Sequence, residues 1–152
     1  MVAKLQNIGE KVELLFRNVA EKPYICAEMA AHNELGKWGE AEAAEYLRRH
    51  GYVIRDTDWR FGKRDLDIVA VTEDAQCLVF VEVKTRKSDK VQTPVQAVTR
   101  QKIRNLAIAA NAYVKTVAGD FQVRFDIISI VGSKDKVEAI EHIEDAFNPL
   151  LG

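Results

Sequence analysis

The 152-residue sequence predicts an α/β fold in the order α-β-β-β-α-β. Three observations carry that expectation: two Ala-rich segments with apolar residues every three to four positions, four runs dense in β-branched residues, and short polar or Gly-containing turns between them. Composition agrees, since 47% hydrophobic and 30% charged residues are enough to build one ordinary core with a charged surface.

The first thirty residues stand apart. Leu5, Ile8, Val12, Leu15 and Phe16 have helical spacing, which Pro23 closes. Residues 1–28 read as an N-terminal extension, helical or poorly packed, ahead of a domain over 29–152; an ordinary packed N-terminal helix fits the same pattern. From Asn33 to His50 a second helical pattern carries Gly36, Gly39, Ala43 and Leu47 on one stripe with Glu40 beside it, and it ends at Gly51, a residue suited to a left-handed cap.

Strand signals follow. Tyr52–Arg55 is short, Leu66–Val71 is apolar apart from Asp67, and Cys77–Lys84 is rich in valine. The polar link Thr72–Gln76 is short enough for a hairpin, so the last two strands should be antiparallel neighbours, with Asp67 close to Glu82. Thr93-Pro94 reads as an N-cap and first helical residue opening a helix that runs to about Thr116. Beyond the Gly119-Asp120 turn, Phe121–Val131 predicts a fourth strand interrupted by Arg124 and Asp126. Val137–Ile143 predicts an edge strand, and Phe147–Leu151 an irregular tail.

The run Phe80-Val81-Glu82-Val83-Lys84-Thr85-Arg86 places a carboxylate and an ammonium on one face of an otherwise apolar strand. Buried charge is expensive unless it is compensated. A metal ion with a phosphate is one compensation; a local ion pair is another. The cations Lys84, Arg86, Lys87, Lys90, Arg100, Lys102 and Arg104 follow in a stretch where Asp89 is the one acid. A net charge of -1 nonetheless argues against an indiscriminate nucleic-acid binder. Cys26 and Cys77 do not cluster with each other or with His32, His50 or His142, which removes a disulfide framework or zinc site from consideration. With no apolar stretch long enough for a signal or a span, the expectation is a cytoplasmic protein without a membrane partner.

Several motifs together resemble the YraN-like family of the PD-(D/E)xK restriction-endonuclease-like superfamily. They are Gly36-Lys37-Trp38-Gly39-Glu40 with Ala43 and Tyr46-Leu47, then Gly51-Tyr52, Asp65-Leu66-Asp67-Ile68-Val69-Ala70, Phe80 to Arg86, Lys102, and Arg124-Phe125-Asp126. The resemblance implies a restriction-endonuclease-like core, a central mixed sheet flanked by helices. It implies that Asp67 and Glu82 bind Mg²⁺ or Mn²⁺, with the backbone carbonyl of Val83 as a further ligand, and that Lys84 attends the hydrolysed phosphodiester. Hard Mg²⁺ prefers carboxylate oxygens and is completed by water and phosphate, so two carboxylates suffice.

Glu40 resembles the helix Glu of related resolvase-like nucleases. Asp65 stands where the family usually has Glu, on a shorter arm. Arg86, Lys87 and Lys102 would contact phosphates. The expected function is a Mg²⁺-dependent nuclease directed by nucleic-acid structure, DNA by preference, because no recognition helix or zinc finger is visible. Two rivals stand beside it: an accessory protein that binds nucleic acid without useful turnover, and a module whose charges merely pair with one another.

Overall fold

The computed structural model describes residues 23–87 and 93–149. The helical pattern of the first twenty-two residues, Asp89 and Lys90 in the basic run, and Leu150-Leu151 lie outside the described residues. The chain divides into two compact units, Met1–Glu34 and Leu35–Gly152, and the sheet belongs wholly to the second.

Helix α1 spans Pro23–Arg49. It begins ten residues before the expected start at Asn33, because Pro23 stands at the first helical position, where its missing N–H costs nothing. Its end is as expected. Gly51 takes φ 85°, its N–H reaches the carbonyl of Arg48, and the N–H of Tyr52 reaches that of Leu47, the double closure of a Schellman cap.

Five strands form one sheet in the order β1-β2-β3-β4-β5: β1 (Val53–Phe61), β2 (Arg64–Val71), β3 (Cys77–Arg86), β4 (Gln122–Ser133) and β5 (Lys136–Ile143). Neighbours are antiparallel except β3 and β4, which run parallel on either side of the crossover helix α2 (Arg100–Val114). The expected hairpin at Thr72–Gln76 forms, with the Thr72 N–H donating to the carbonyl of Cys77 at 3.0 Å. The fold is thus α/β with a mixed sheet and helices, as the sequence predicts.

Two boundaries differ from expectation. β1 extends to Phe61 rather than stopping at Arg55; it is a sheet edge whose residues are mostly exposed, so no apolar alternation marks it. The second helix starts at Arg100 rather than at Pro94. Thr93 does cap a turn, exchanging bonds with Gln96 at 3.3 Å in both directions, but the turn breaks. The continuous helix restarts behind a second cap, Thr99, whose Oγ1 accepts from the N–H of Lys102 at 3.2 Å.

Each face of the sheet has its own core. Leu66, Val69, Val71, Leu78, Phe80 and Phe125 pack with Leu106, Ala109, Ala110 and Tyr113 of α2. Ile68, Ala70, Val79, Val81, Ile128 and Ile130 pack with Ala43, Ala44 and Leu47 of α1. Close approach on the second face depends on Gly39: a methyl group there would lie 1.8 Å from Oγ1 of Thr85. The odd and even positions of β3 therefore serve different helices, and Glu82 and Lys84 continue the row of Leu78 and Phe80 toward the N-terminus of α2.

Candidate active site

Asp67 and Glu82 sit where β2 and β3 part. The pairing of these strands runs from Val71↔Leu78 to Ile68↔Val81, and Asp67 and Glu82 are the next residues along. The face alternation of β2 also breaks here, since Leu66 joins the α2 core and Ile68 the α1 core. Asp67 takes up the slack by accepting the N–H of Val83 on Oδ2 at 2.8 Å. Both carboxylates are buried, Asp67 to 8% and Glu82 to 4% exposure.

Two lysines reach them. Nζ of Lys84 lies 3.0 Å from Oε1 of Glu82, and Nζ of Lys102, from the first turn of α2, lies 3.4 Å from Oε2 of Glu82 and 3.5 Å from Oδ1 of Asp65. A cation in the first turn opposes the helix dipole, so these carboxylates are what hold Lys102 in place. The balance is incomplete. Oε2 of Glu82 is buried without a hydrogen bond of good geometry. Burial, and then the charge of Glu82, push the Asp67 carboxyl up to about 8 despite the Val83 N–H and Lys102.

Glu40 joins the edge of this group from α1. Burial raises its carboxyl, and the charges of Asp58, Asp65 and Glu82 raise it further, against the pull of Lys102. Burial lowers the Lys102 ammonium, but Glu82, Asp67 and Asp65 outweigh it and the net direction is up. Five sequence candidates, Asp67, Glu82, Lys84, Asp65 and Lys102, thus converge, with Glu40 in their field. Arg86 is turned inward instead, Nη2 to Oγ of buried Ser129 at 3.4 Å, while Lys87 is exposed.

Sequence reasoning missed Asp58, which takes a φ of 48° within β1 and whose charge lies in the field of Glu40. Aspartate is one of the few residues that tolerates that conformation, a signal too weak to find it alone. It also missed Asn105 of α2, whose Oδ1 accepts from Nε of Arg64 at 3.3 Å.

Among the described residues no three His, Cys, Asp or Glu are grouped so as to hold a metal by themselves. Two buried carboxylates, with a raised pKa on one and an oxygen on the other that has the 3.4 Å ion pair with Lys102 but no hydrogen bond, do fit Mg²⁺, which takes one or two protein carboxylates and leaves its other positions to water and phosphate.

Arg124 and Asp126 lie elsewhere, in register with Val79 and Val81 on the α1 face. Asp126 is fully buried. Its oxygens accept from Nε and Nη2 of Arg124, both at 2.8 Å, from the N–H of Asp145 at 3.0 Å, and meet Nε2 of His142 at 2.8 Å. Arg124 continues to the Tyr52 hydroxyl, which donates to Glu144 at 2.9 Å. This network ties β4, β5 and the tail to the start of β1, on the face of the sheet opposite Glu82 and Lys84.

Comparison with known proteins adds relatives. Residues 39–130 match the uncharacterised protein family UPF0102. A UPF0102 protein of Phocaeicola vulgatus is 50% identical over 121 residues, covering 80% of this chain and 98% of the relative. One of Bacteroides fragilis is 50% identical over 123 residues, with coverage of 81% and 99%, and one of Porphyromonas gingivalis is 47% identical over 124, with 81% and 90%. Among solved structures, Pyrococcus furiosus SfsA in complex with Ca²⁺ aligns at TM-score 0.26 and 14% identity, over 74% of this chain and 63% of that one. Among the described residues no helix is long and apolar enough to cross a membrane.

Proposed function

The chain belongs to the uncharacterised protein family UPF0102, the YraN-like family its motifs resemble, and from that premise we propose a Mg²⁺-dependent nuclease that hydrolyses phosphodiester bonds in DNA according to structure rather than sequence. The observation that carries this reading is the buried, under-compensated pair Asp67 and Glu82 at the parting of two strands, flanked by two lysines. A purely structural ion pair has no need of a second buried carboxyl beside it, raised to about 8 by burial and by the charge of Glu82.

Asp67 and Glu82 would hold the cation. The Val83 carbonyl shares its side of the extended strand with the N–H that meets Asp67, which suits it as a further oxygen donor. When bound, such an ion neutralises phosphoryl oxygens and makes a coordinated water more acidic. Lys84, anchored on Glu82, would offset charge developing on the phosphate or orient the attacking water. Lys102 holds its two carboxylates at 3.4 and 3.5 Å, long for charged hydrogen bonds, so its ammonium can turn to a backbone phosphate at little cost. Glu40 and Asp65 would add negative field at the rim, and exposed Lys87 a phosphate contact.

The accessory reading draws on one observation, the two lysines already beside Glu82. Incubating the purified protein with single-stranded, duplex, flapped and four-way DNA and RNA, with Mg²⁺, Mn²⁺ or chelator, separates the two. Metal-dependent cutting by wild type that is lost in both Asp67→Ala and Glu82→Ala supports the nuclease. Binding that persists in both variants, with no substrate cut by any form, favours the accessory role.

A further inference from the structure

The hairpin joining β1 to β2 ends in an aromatic residue that the core does not need. Phe61 is 46% exposed, although it neighbours Trp59 two positions back on the same strand. The two rings are parallel, 3° apart in orientation with centroids separated by 6.4 Å, and Trp59 meets Tyr113 of α2 edge-on at 5.1 Å. A row of three rings thus runs from the α2 core outward and ends at an open face on Phe61. Gly62, φ 62°, and Lys63 form the two-residue loop; glycine with positive φ in its first position is what a type II′ hairpin requires.

Charge at the tip is positive. Lys63 is exposed, Arg64 is steadied by Asn105, and Arg60 is offset by Asp58 at 3.3 Å. The tip also stands beside the candidate active site. Phe61 pairs with Arg64 and Arg60 with Asp65, so three residues of β2, about 10 Å of strand, separate the exposed ring from Asp67.

An exposed aromatic on a tight hairpin loop beside an exposed lysine matches the chemistry that binds unpaired nucleobases, since a ring stacks on any base while the cation follows the phosphates. We propose that Phe61, backed by Trp59 and flanked by Lys63, is a stacking platform for an unpaired base next to the bond presented to Asp67 and Glu82. It makes single-stranded or frayed DNA the preferred substrate form. The inference rests on the nuclease reading and specifies its substrate. Duplex DNA, whose bases are stacked on one another, offers no face to Phe61 and binds through phosphate contacts alone.

The test measures anisotropy of labelled oligo-dT and of a blunt duplex, with Mg²⁺ and with chelator, for wild type, Phe61→Leu, Phe61→Tyr and Lys102→Ala. Leucine keeps the apolar contact with Trp59 but cannot stack; thermal melting of each variant establishes that it is folded. Phe61→Leu is expected to weaken oligo-dT binding about tenfold, leave duplex binding within about twofold, and be rescued by tyrosine. In a Trp38→Phe background, oligo-dT should quench the emission of Trp59. Wild-type binding of oligo-dT that Phe61→Leu leaves unchanged while Lys102→Ala weakens it would overturn the platform and spare the nuclease reading. Failure of wild type to bind either nucleic acid under both conditions would overturn the nuclease reading, and the platform with it.

Discussion

On the nuclease reading Asp67 is a ligand of the cation, and its titration is directly measurable. Its folded-state pKa of about 8 lies above the ordinary 3.8, so the fold prefers the neutral acid. Stability from this group is full below about pH 4 and is lost as pH rises through about 8. Without divalent cations, urea melts should therefore show stability falling across that window, and Asp67→Asn should abolish the slope and gain about 1–3 kcal/mol at the alkaline end. Mg²⁺ should raise the melting temperature of wild type increasingly with pH, because the ion needs the deprotonated carboxylate. Asp67→Ala and Glu82→Ala should show no such rise. Lys84, with 28% of its side chain exposed, serves chemistry more than folding on the nuclease reading. Lys84→Ala should lower kcat by about 10²–10³-fold with a melting temperature close to wild type.

At the scale of elements, α1 and α2 are placed by small features. Alanine usually stabilises a helix relative to glycine by about 1 kcal/mol, but Gly39→Ala should destabilise by about 1–3 kcal/mol because its methyl meets Thr85 on a packed strand. A Thr85→Gly partner should recover part of that loss in a double-mutant cycle. Thr99→Ala removes the cap that sets the first turn of α2 and should cost about 1 kcal/mol in denaturant melts. On the nuclease reading it should also weaken phosphate binding by loosening Lys102.

These features mark what the sequence could show. Buried strands β2, β3 and β4 announce themselves by valine and isoleucine, and Gly51 announces the end of α1. The exposed edge β1 carries no such pattern. The false start at Thr93-Pro94 obeys every local rule for a cap and fails beyond the reach of those rules. The site was half legible in the same sense: Glu82 and Lys84 stand out as charges in an apolar run, and a hairpin suffices to bring Asp67 to them. Glu40 shows itself beside the apolar stripe of α1, whereas a role for Lys102 comes through the family resemblance, because nothing local tells a helix cation which face it will meet.

At the scale of the molecule, the network around Asp126 lies on the opposite face of the sheet from the candidate site. Asp126, fully buried and bonded to Arg124, His142 and the Asp145 amide, lies on the α1 face, and those bonds outweigh the burial that would raise its carboxyl, so its direction is down. Its contribution is present at neutral pH and is lost as the solution is acidified below the ordinary carboxylate range. Asp126→Ala leaves Arg124 without its main partner and should cost about 3–5 kcal/mol, measured by denaturant unfolding. That loss should add to the effect of Asp67→Asn without coupling, since the two share no partner.

The single bond from the Val83 amide to Oδ2 of Asp67 carries one last implication. It joins a backbone proton to the carboxylate whose charge state governs the site, so that one amide becomes a resident indicator. In a ¹⁵N-labelled sample the Val83 resonance should move along a titration curve centred near pH 8, and added Mg²⁺ should shift the curve toward acid. The protein would then disclose the occupancy of its own site without any substrate being cut.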